Sequence, residues 1–474
     1  MDFYSAFIVK IFRLKSMCSE KYTPVLTIYA YVIKMVKIHG KKEGERDLME
    51  KHLYDSYVNI LREELVPAMG CTEPIAVAYA ASIAADRLGM TPERVDIEVS
   101  PNILKNVKSV FVPNTGGLRG IEASAAAGIV AGNPEAKLEV IASATPEQQA
   151  QMAEYLQTAK FSLHKSESGF LFDIDIRVYA GEHCARCRIA GSHTNVIHIS
   201  KDGVAELDEG YTQQAPVAKF DRSILNVERI VEFAQCVEIE DVKAILDRQV
   251  SYNMAIAEEG LRGNYGACIG KVLLSCNGTS TQNRAKAYAA AASDARMNGC
   301  SLPVVINSGS GNQGLTASVP VVIYARDMAA GDELMYRSLV VANLVTTHLK
   351  TGIGPLSAYC GAVSAGCGAA AGVTYMRGGR YNEIAHTIVN ALAIDSGMIC
   401  DGAKSSCAAK IASAVEAGIL GMQMYENGTQ FYSGDGIVTK GVENTIANVG
   451  RLARQGMAGT DKEIIDIMIS PSGC

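Results

Sequence analysis

Residues 285–299 read AKAYAAAASDARMNG, an alanine-rich stretch with the periodicity of a helix. Three more stretches in the second half of the chain share this helical periodicity: ILNVERIVEFAQ (224–235), VKAILDRQVSYNMAIAEEGL (242–261) and LMYRSLVVANLVTTHLK (334–350). The 44 glycines and the absence of tryptophan favour tight packing of small side chains. These features predict a large Ala/Gly-rich helical domain.

A different pattern fills residues 94–204, where short alternating stretches predict strands joined by turns. The predicted strands are RVDIEVS (94–100), KLEVIAS (137–143), FDIDIRVYAG (172–181), ARCRIAGS (185–192) and NVIHISKDG (195–203). One predicted helix, IEASAAAGIVA (121–131), interrupts them. The predicted fold class is therefore α+β, in which the large helical domain joins a smaller β-rich domain that contains one or more helices.

The chain divides into four predicted segments. Residues 1–48 are an N-terminal extension without an assigned role, and residues 49–93 are a helical segment that carries a GCTEP motif and is expected to pack with the C-terminal domain. Residues 94–210 are the α/β subdomain, and residues 211–474 are the helical domain.

The apolar stretch at residues 22–38 does not predict a membrane span. It is shorter than the roughly 20 residues that a bilayer helix needs. Pro24, Lys34 and Lys37 also interrupt it. No membrane partner is therefore expected.

The charge and the cysteine content exclude other classes of protein. Lysine and arginine number 44 against 50 aspartates and glutamates, so the chain is mildly acidic and lacks the basic pattern of a nucleic-acid-binding protein. Its 13 cysteines, without a signal-peptide pattern or a compact cysteine ladder, are typical of a reducing compartment in which thiols pack in cores or bind metals. We expect a cytoplasmic protein.

Three cysteines near the C-terminus lie in glycine-rich turns: Cys360, Cys400 and Cys407. A turn at Gly402 would let the thiolates of Cys400 and Cys407 face one centre, to which the fold would have to bring Cys360. Thiolates from separated segments can bind one cluster. The spacing alone leaves a second interpretation open, in which each cysteine is a small buried hydrophobic residue.

Cys71 precedes a predicted helix, because Thr72 suits a cap, Glu73 favours the positive helix end and Pro74 suits the first turn. A thiol at a helix N-terminus is expected to have a lowered pKa and to accept a proton near neutral pH. The alternative is a cysteine that only packs in the turn.

Two glycine-rich loops are candidates for binding a substrate carboxylate, since each follows a strand-like stretch and precedes a helix. Their candidate residues are Asn114, Thr115, Gly116 and Gly117 in the first loop, and Asn307, Ser308 and Gly309 in the second. Both loops could instead be tight turns that need positive φ. The second loop also matches G-x-G-x-x-G, but Pro320 and a helical pattern follow where a dinucleotide-binding fold needs a strand that ends in an acid.

A CxxC pair, Cys184 and Cys187, lies beside His183 and His193 and raises a zinc or redox interpretation. Strand alternation places the two thiols on opposite faces, which favours ordinary strand packing.

Long segments of the chain resemble the family that joins L-cysteine desulfidases to the α-chain part of iron–sulfur L-serine dehydratases. The matching segments are ELVPAMGCTEPIAVAYAAS (64–82), FVPNTGGLRGIEASAAAGIVAGNPEAKLEV (111–140), INSGSGNQGLTASVPVVIYA (306–325), GIGPLSAYCGAVSAGCGAAAGVTYM (352–376), ICDGAKSSCAAK (399–410) and NTIANVGRLARQGM (444–457). The resemblance covers residues 49–468 and is closer to the desulfidase branch.

This resemblance implies that Cys360, Cys400 and Cys407 hold a [4Fe-4S] cluster with one open iron, and that Cys71 is the catalytic base. It implies a carbon–sulfur lyase of cysteine catabolism that converts L-cysteine to pyruvate, sulfide and ammonia. A soft iron acting as a Lewis acid suits a departing thiolate. Pyridoxal phosphate is not expected, because the sequence shows no Schiff-base lysine in a recognisable pocket.

Two alternatives stay open at this point. The same machinery could act on L-serine or a related hydroxy amino acid, since the choice between SH and OH depends on a few pocket contacts. A non-enzymatic iron–sulfur sensor of cysteine or oxygen is the other alternative, although a sensor has no use for a base at Cys71.

Two further expectations concern the end of the chain and its assembly. Cys474 carries a thiol beside a carboxylate, and we hypothesise that it reaches the open iron and is displaced by cysteine; a disordered tail is the alternative. An Ala/Gly-rich helical surface would suit a homodimer.

Overall fold

The structure, a computed structural model, describes residues 49–210, 220–354 and 356–469. From Glu50 onward the described residues belong to one compact unit. The predicted extension at residues 1–48, the apolar stretch within it and Cys474 lie outside the described residues. Among the helices that are described, none is both long enough and apolar enough to cross a membrane.

The predicted α+β class is confirmed. The α-helices of the described residues are α1 (Lys51–Glu64), α2 (Thr72–Leu88), α3 (Pro101–Val107), α4 (Gly120–Ala131), α5 (Pro146–Thr158), α6 (Val227–Cys236), α7 (Ile239–Arg262), α8 (Ile269–Asn277), α9 (Thr281–Met297), α10 (Gly311–Asp327), α11 (Asp332–Ile353), α12 (Gly361–Met376), α13 (Tyr381–Asp395), α14 (Cys407–Glu426), α15 (Val442–Arg451) and α16 (Ala458–Ile469). The strands are β1 (Pro67–Met69), β2 (Arg94–Val99), β3 (Lys160–Lys165), β4 (Asp173–Ala180), β5 (His183–Ala190), β6 (Val196–Lys201), β7 (Val204–Asp208) and β8 (Pro303–Val305).

Six strands form one mixed sheet in the order β3-β2-β4-β5-β6-β7. Only the β2–β3 pair is parallel, and the other neighbours are antiparallel. Helix α2 packs against β4, β5 and α4. The crossing of α2 and α4 is close, since a Cβ at Gly128 would lie 2.0 Å from the carbonyl oxygen of Ala78.

The helical part is built around α12, whose residues are nearly all buried and which packs against α10, α11, α13 and α14. Small residues allow this packing. A Cβ at Gly366 would lie 2.4 Å from the carbonyl oxygen of Ala414 on α14, and one at Gly368 would lie 2.5 Å from that of Ala342 on α11. The backbones therefore approach more closely than larger side chains permit.

The short antiparallel pair of β1 and β8 positions the functional segments. Pro67 pairs with Val305, so the turn before α2 lies beside the loop that follows β8. The hydroxyl of Thr72 donates to the carbonyl of Gly309 at 3.1 Å and fixes this arrangement. Two segments more than 230 residues apart thus form one wall.

The strand prediction for residues 137–143 is wrong. A 3₁₀ helix spans Pro134–Glu139, Lys137 has φ 49°, and Val140 and Ile141 are buried in the turns that follow. The alternation of apolar residues there reflects burial of a turn and not a pleated strand. The subdomain also contains three α-helices, α3, α4 and α5, where the sequence predicted α4 alone. The predicted domain boundaries stay predictions.

Candidate functional site

Cys360 and Cys400 lie side by side although 40 positions separate them. An isolated antiparallel bridge joins Tyr359 to Ile399. The backbone N–H of Cys360 donates to Met398 at 3.0 Å, and that of Cys400 donates to Ala358 at 2.6 Å. The backbone itself therefore brings together the two segments that the sequence could not connect.

Cys407 opens α14 and completes the group. Between Cys400 and Cys407 the chain turns at Gly402, whose φ is 94° and where a Cβ would lie 2.5 Å from the carbonyl oxygen of Lys105. Only glycine tolerates this conformation and this approach. The Cys407 thiol donates to the carbonyl of Gly402 at 3.8 Å.

All three cysteines line one cavity of about 120 Å³, and Cys71 lines it too. Burial and the neighbouring Cys400 raise the pKa of the Cys360 thiol to about 12. Burial also raises the pKa of Cys407. Thiols of this kind lose their protons when a metal binds, because the metal replaces the proton as the charge partner.

Cys71 caps the N-terminus of α2 and is 3% exposed. It packs in a small apolar cluster with Val110 and Met297, against which Cys407 also packs. Its thiol donates to Oε2 of Glu73 at 3.1 Å. Burial and the Glu73 carboxylate raise the thiol pKa well above its ordinary value, so the predicted lowering by the helix start is wrong. Desolvation outweighs the helix dipole at this position.

Glu73 is a buried carboxylate that neighbouring hydrogen-bond donors surround. Besides the hydrogen bond from Cys71, it accepts one from Asn106 Nδ2 at 3.0 Å, and Thr72 Oγ1 lies 3.0 Å from its Oε2. Burial acts to raise its pKa, but His193, Cys71 and its own backbone hold the pKa below the usual range. Sequence reasoning assigned Glu73 only to the helix dipole, and nothing in the sequence pointed to its place beside the thiol.

His193 is the second residue whose place the sequence did not predict. It reaches the site from the β5–β6 connection, packs edge-on against Phe172 and lies against Gly309. Burial lowers its pKa, and its Nε2 is buried without a hydrogen-bond partner. The histidine therefore contributes a buried ring beside Glu73.

Four cations line the cavity: Lys105, Arg296, Lys350 and Lys410. Lys105 pairs with Asp461 at 2.5 Å, and Lys410 pairs with Asp401 at 2.5 Å. Among the described residues, no ion pair includes Arg296 or Lys350. Burial lowers the pKa of Lys350 to about 8, an effect that Cys400 and Cys360 oppose. Arg296 and Lys350 are therefore the two cations of this wall that the described ion pairs leave unbalanced, while Glu73 places an anion on the same wall.

The first glycine-rich loop satisfies its own polar groups. Asn114 Nδ2 donates to the carbonyls of Ile141 and Ala142 at 3.2 and 3.0 Å, and the Thr115 hydroxyl donates to Val112 at 2.7 Å. Gly116 and Gly117 are exposed, and none of the four lines the cavity. Their predicted binding role stays a prediction.

The second loop lies directly behind the cavity. Asn307 is fully buried and donates to the backbone carbonyl of Asn343 at 3.2 Å, while the backbone N–H of Ser308 donates to Glu64 at 2.8 Å. The backbone carbonyl of Gly309 accepts a hydrogen bond from the Thr72 hydroxyl. The next residues along the chain, Ser310, Asn312 and Gln313, line the cavity.

The CxxC pair lies apart from this cavity. Cys187 is fully buried in β5, whereas Cys184 is partly exposed on the other face of the same strand. In the parts of the chain that the structure describes, no three His, Cys, Asp or Glu side chains come close enough to hold a single metal ion.

A four-iron cluster makes a different demand on its ligands. Each thiolate binds a separate iron, so the sulfurs surround a body larger than one ion. Cys360, Cys400 and Cys407 meet this demand, because three thiols from two chain segments line one small cavity. The unpaired charge of Lys350 beside Cys360 and Cys400 also fits an anionic thiolate cluster.

The chain matches known proteins over most of its length. A family model described as serine dehydratase alpha chain matches residues 135–466. The chain is similar to UPF0597 protein DSY1109 of Desulfitobacterium hafniense, with 56% identity over 417 residues that cover 88% of this chain and 97% of the relative. UPF0597 proteins of Lachnoclostridium phytofermentans and Treponema denticola are 46% and 45% identical over 88% and 89% of this chain, and over 100% and 99% of theirs. The names of these relatives specify no substrate.

Proposed function

The chain belongs to the family of serine dehydratase alpha chains, and from this premise we propose that it is an iron–sulfur lyase that removes the β-substituent of a small L-amino acid, with L-cysteine as its substrate. The observation that carries the proposal is the lining of a single cavity by four cysteines, three from the C-terminal part and one from the start of α2. Elimination releases sulfide and leaves an enamine, which water hydrolyses to pyruvate and ammonia.

Cys360, Cys400 and Cys407 would hold the [4Fe-4S] cluster, since they are the thiols whose backbone segments converge on the cavity. When bound, a cluster with one open iron would supply a soft Lewis acid for the departing sulfur. Lys350 would balance the charge of the thiolates of Cys360 and Cys400.

Cys71 would remove the proton from the α-carbon. Its thiol donates to Oε2 of Glu73 at 3.1 Å, and this hydrogen bond orients the sulfur. A thiolate whose conjugate acid has a raised pKa is a stronger base, which the poorly acidic Cα–H of an amino acid requires.

The cavity also limits the size of the substrate. Because the cluster would share this cavity of about 120 Å³, the space left for a substrate suits at most a small amino acid. Burial of Cys71 and Glu73 excludes bulk water, which would otherwise protonate the thiolate.

L-serine is the second candidate substrate, and the description of the matching family model favours it. Both substrates lose a β-substituent after the same proton is removed, so the residues of the cavity serve either one. A thiolate is the better leaving group and the softer ligand, which supports L-cysteine.

The experiment that tests the proposal is an assay of the anaerobically purified protein with each amino acid separately. Pyruvate and sulfide from L-cysteine are the expected result. Pyruvate from L-serine alone would move the function to the second candidate. An intact cluster without turnover of either amino acid would contradict the lyase and favour a sensor.

A further inference from the structure

Three polar side chains in the wall of the cavity have buried atoms without a hydrogen-bond partner. These atoms are Nε of Arg296, Oε1 of Gln313 and Oδ1 of Asn106. The three residues are 2%, 4% and 7% exposed, respectively. Buried polar atoms in folded proteins are almost always paired, so unpaired atoms on three residues that line one cavity point to a bound water or ligand as their partner.

Arg296 is held in place and yet lacks an anion. Its Nη1 donates to Oδ1 of Asn312 at 3.1 Å. The guanidinium lies over Gly311, where a Cβ would come within 2.2 Å of Nε and 2.6 Å of Cζ. The absence of a side chain at Gly311 makes room for the guanidinium. Within the described residues no carboxylate pairs with it, although buried arginines are seldom unpaired.

Arg296 lies on the side of the cavity that carries Cys71. Its positive charge acts to lower the pKa values of Cys71, Glu73 and Cys407. Lys350 faces Cys360 and Cys400 on the other side. The two unpaired cations therefore serve different anions, and an anion bound at Arg296 lies next to the sulfur of Cys71.

Gln313 lies beside the first of the three C-terminal cysteines. A Cβ at Gly361, the residue after Cys360, would lie 2.7 Å from Cδ and 2.9 Å from Oε1 of Gln313. The side-chain amide of Gln313 thus packs directly on the backbone of Gly361, and its Oε1 has no hydrogen-bond partner among the described residues. Such an oxygen accepts a hydrogen bond from a cation.

We infer that Arg296 and Gln313 form a clamp for the α-amino-acid group, in which the guanidinium binds the substrate carboxylate and the amide oxygen of Gln313 accepts a hydrogen bond from the substrate ammonium. An unpaired donor and unpaired acceptors on one wall are the complement of a zwitterion. The clamp rests on the proposed function and deepens it, since it fixes the α-carbon beside Cys71 and selects α-amino acids over amines and simple acids.

The clamp is tested with L-alanine, which has both charged groups and no leaving group, by isothermal titration calorimetry of the anaerobically purified full chain. Wild-type protein is expected to bind L-alanine and to bind ethylamine, which lacks the carboxylate, at least about 10-fold more weakly. Equal affinity for the two compounds, or no binding of L-alanine, would overturn the clamp.

Variants separate the two halves of the clamp. Arg296→Gln is expected to weaken L-alanine binding by roughly 10- to 100-fold, and Arg296→Lys by less. Gln313→Leu is expected to reduce the affinity for L-alanine to that for propionate, which lacks the ammonium. The matched control is Arg284→Gln, on the same helix but paired with Asp327 at the surface. Unchanged L-alanine binding in folded Arg296→Gln contradicts the proposal.

Failure of the clamp and failure of the lyase are distinguishable. L-alanine cannot eliminate, so its binding is measured without turnover, while the pyruvate assay reports only on turnover. A protein that releases pyruvate from L-cysteine but binds L-alanine and ethylamine equally well would support the lyase and contradict the clamp.

Discussion

The sulfur of Cys71 lies 3.1 Å from Oε2 of Glu73, and both groups are buried in the wall of one cavity. The thiol donates a hydrogen bond to this carboxylate, which holds the sulfur in position. The carboxylate is in turn held by Thr72 and Asn106. The pair explains how a buried cysteine at a helix start could remove a proton from carbon.

Glu73→Gln tests this pair. Glutamine keeps the volume and can still accept from Asn106, but it lacks the negative charge that strengthens the hydrogen bond from the thiol. The sulfur is then held less firmly, so kcat is expected to fall by about 10-fold while the iron content is unchanged. The measurement is steady-state turnover of L-cysteine under argon, with Glu147→Gln, at an exposed helix start, as control. A kcat equal to wild type would show that Glu73 has no part in positioning the thiol.

Removal of any one of Cys360, Cys400 or Cys407 tests the cluster site. Each change to alanine takes away one of three thiolates, so the iron and sulfide content and the visible absorbance are expected to fall sharply after anaerobic purification. Cys367→Ala is the matched control, because Cys367 is buried on α12, the helix that follows Cys360, and does not line the cavity. Loss of iron in the control, or its retention in all three variants, would contradict the assignment.

Asp294→Asn tests the pH dependence of stability. Burial raises the pKa of Asp294 to about 6 in the folded state. A carboxyl with a raised folded pKa stabilises the fold below the unfolded pKa of about 3.9 and loses this contribution as the pH rises through 6. The free energy of unfolding of the asparagine variant is therefore expected to exceed that of wild type at pH 8 by at most about 3 kcal/mol. The variant is expected to lose this advantage near pH 4, and denaturant unfolding at both pH values measures the difference. The exposed Asp86→Asn is the control, and an advantage independent of pH would contradict the assignment to Asp294.

Gly366→Ala tests the close packing of α12 on α14. Because the added Cβ would meet the carbonyl oxygen of Ala414 at 2.4 Å, we expect a loss of about 1–3 kcal/mol in the free energy of unfolding. Gly331→Ala, where no atom lies within 4 Å of the added Cβ, should change stability little. Denaturant unfolding of both variants gives the comparison, and equal effects would show that the approach is not tight.

Local sequence patterns predicted the helices well where the apolar period was strong. Helices α7, α9 and α11 lie where the periodicity placed them, and Cys71 precedes α2 as its capping residues indicated. Helix α12 was not predicted, because a helix of Ala and Gly that is buried on all sides shows no amphipathic period. Helix α5 was missed although its capping box, Thr145 with Gln148, is visible in the sequence.

The site was only partly predictable, because long-range packing brings several of its residues together. The family motifs pointed to the four cysteines and contain Glu73, whereas Arg296 and Lys350 lie outside the matching segments and reach the site through long-range packing. Arg296 is an unremarkable residue near the end of a predicted helix until Gly311 and Asn312 from the next helix surround its guanidinium. Burial also reversed the expected direction of the Cys71 pKa, which a helix-dipole argument from sequence could not anticipate.

The most direct test of the account is a comparison of wild type with Cys71→Ser, purified without oxygen, in which iron, sulfide, visible absorbance and pyruvate release from L-cysteine are measured on the same sample. The account predicts that the variant carries the same cluster as wild type and that its turnover falls by at least about 10²-fold, whereas the exposed Cys276→Ser matches wild type in both. A Cys71→Ser protein with an intact cluster and wild-type turnover would contradict the central claim that this thiol is the base.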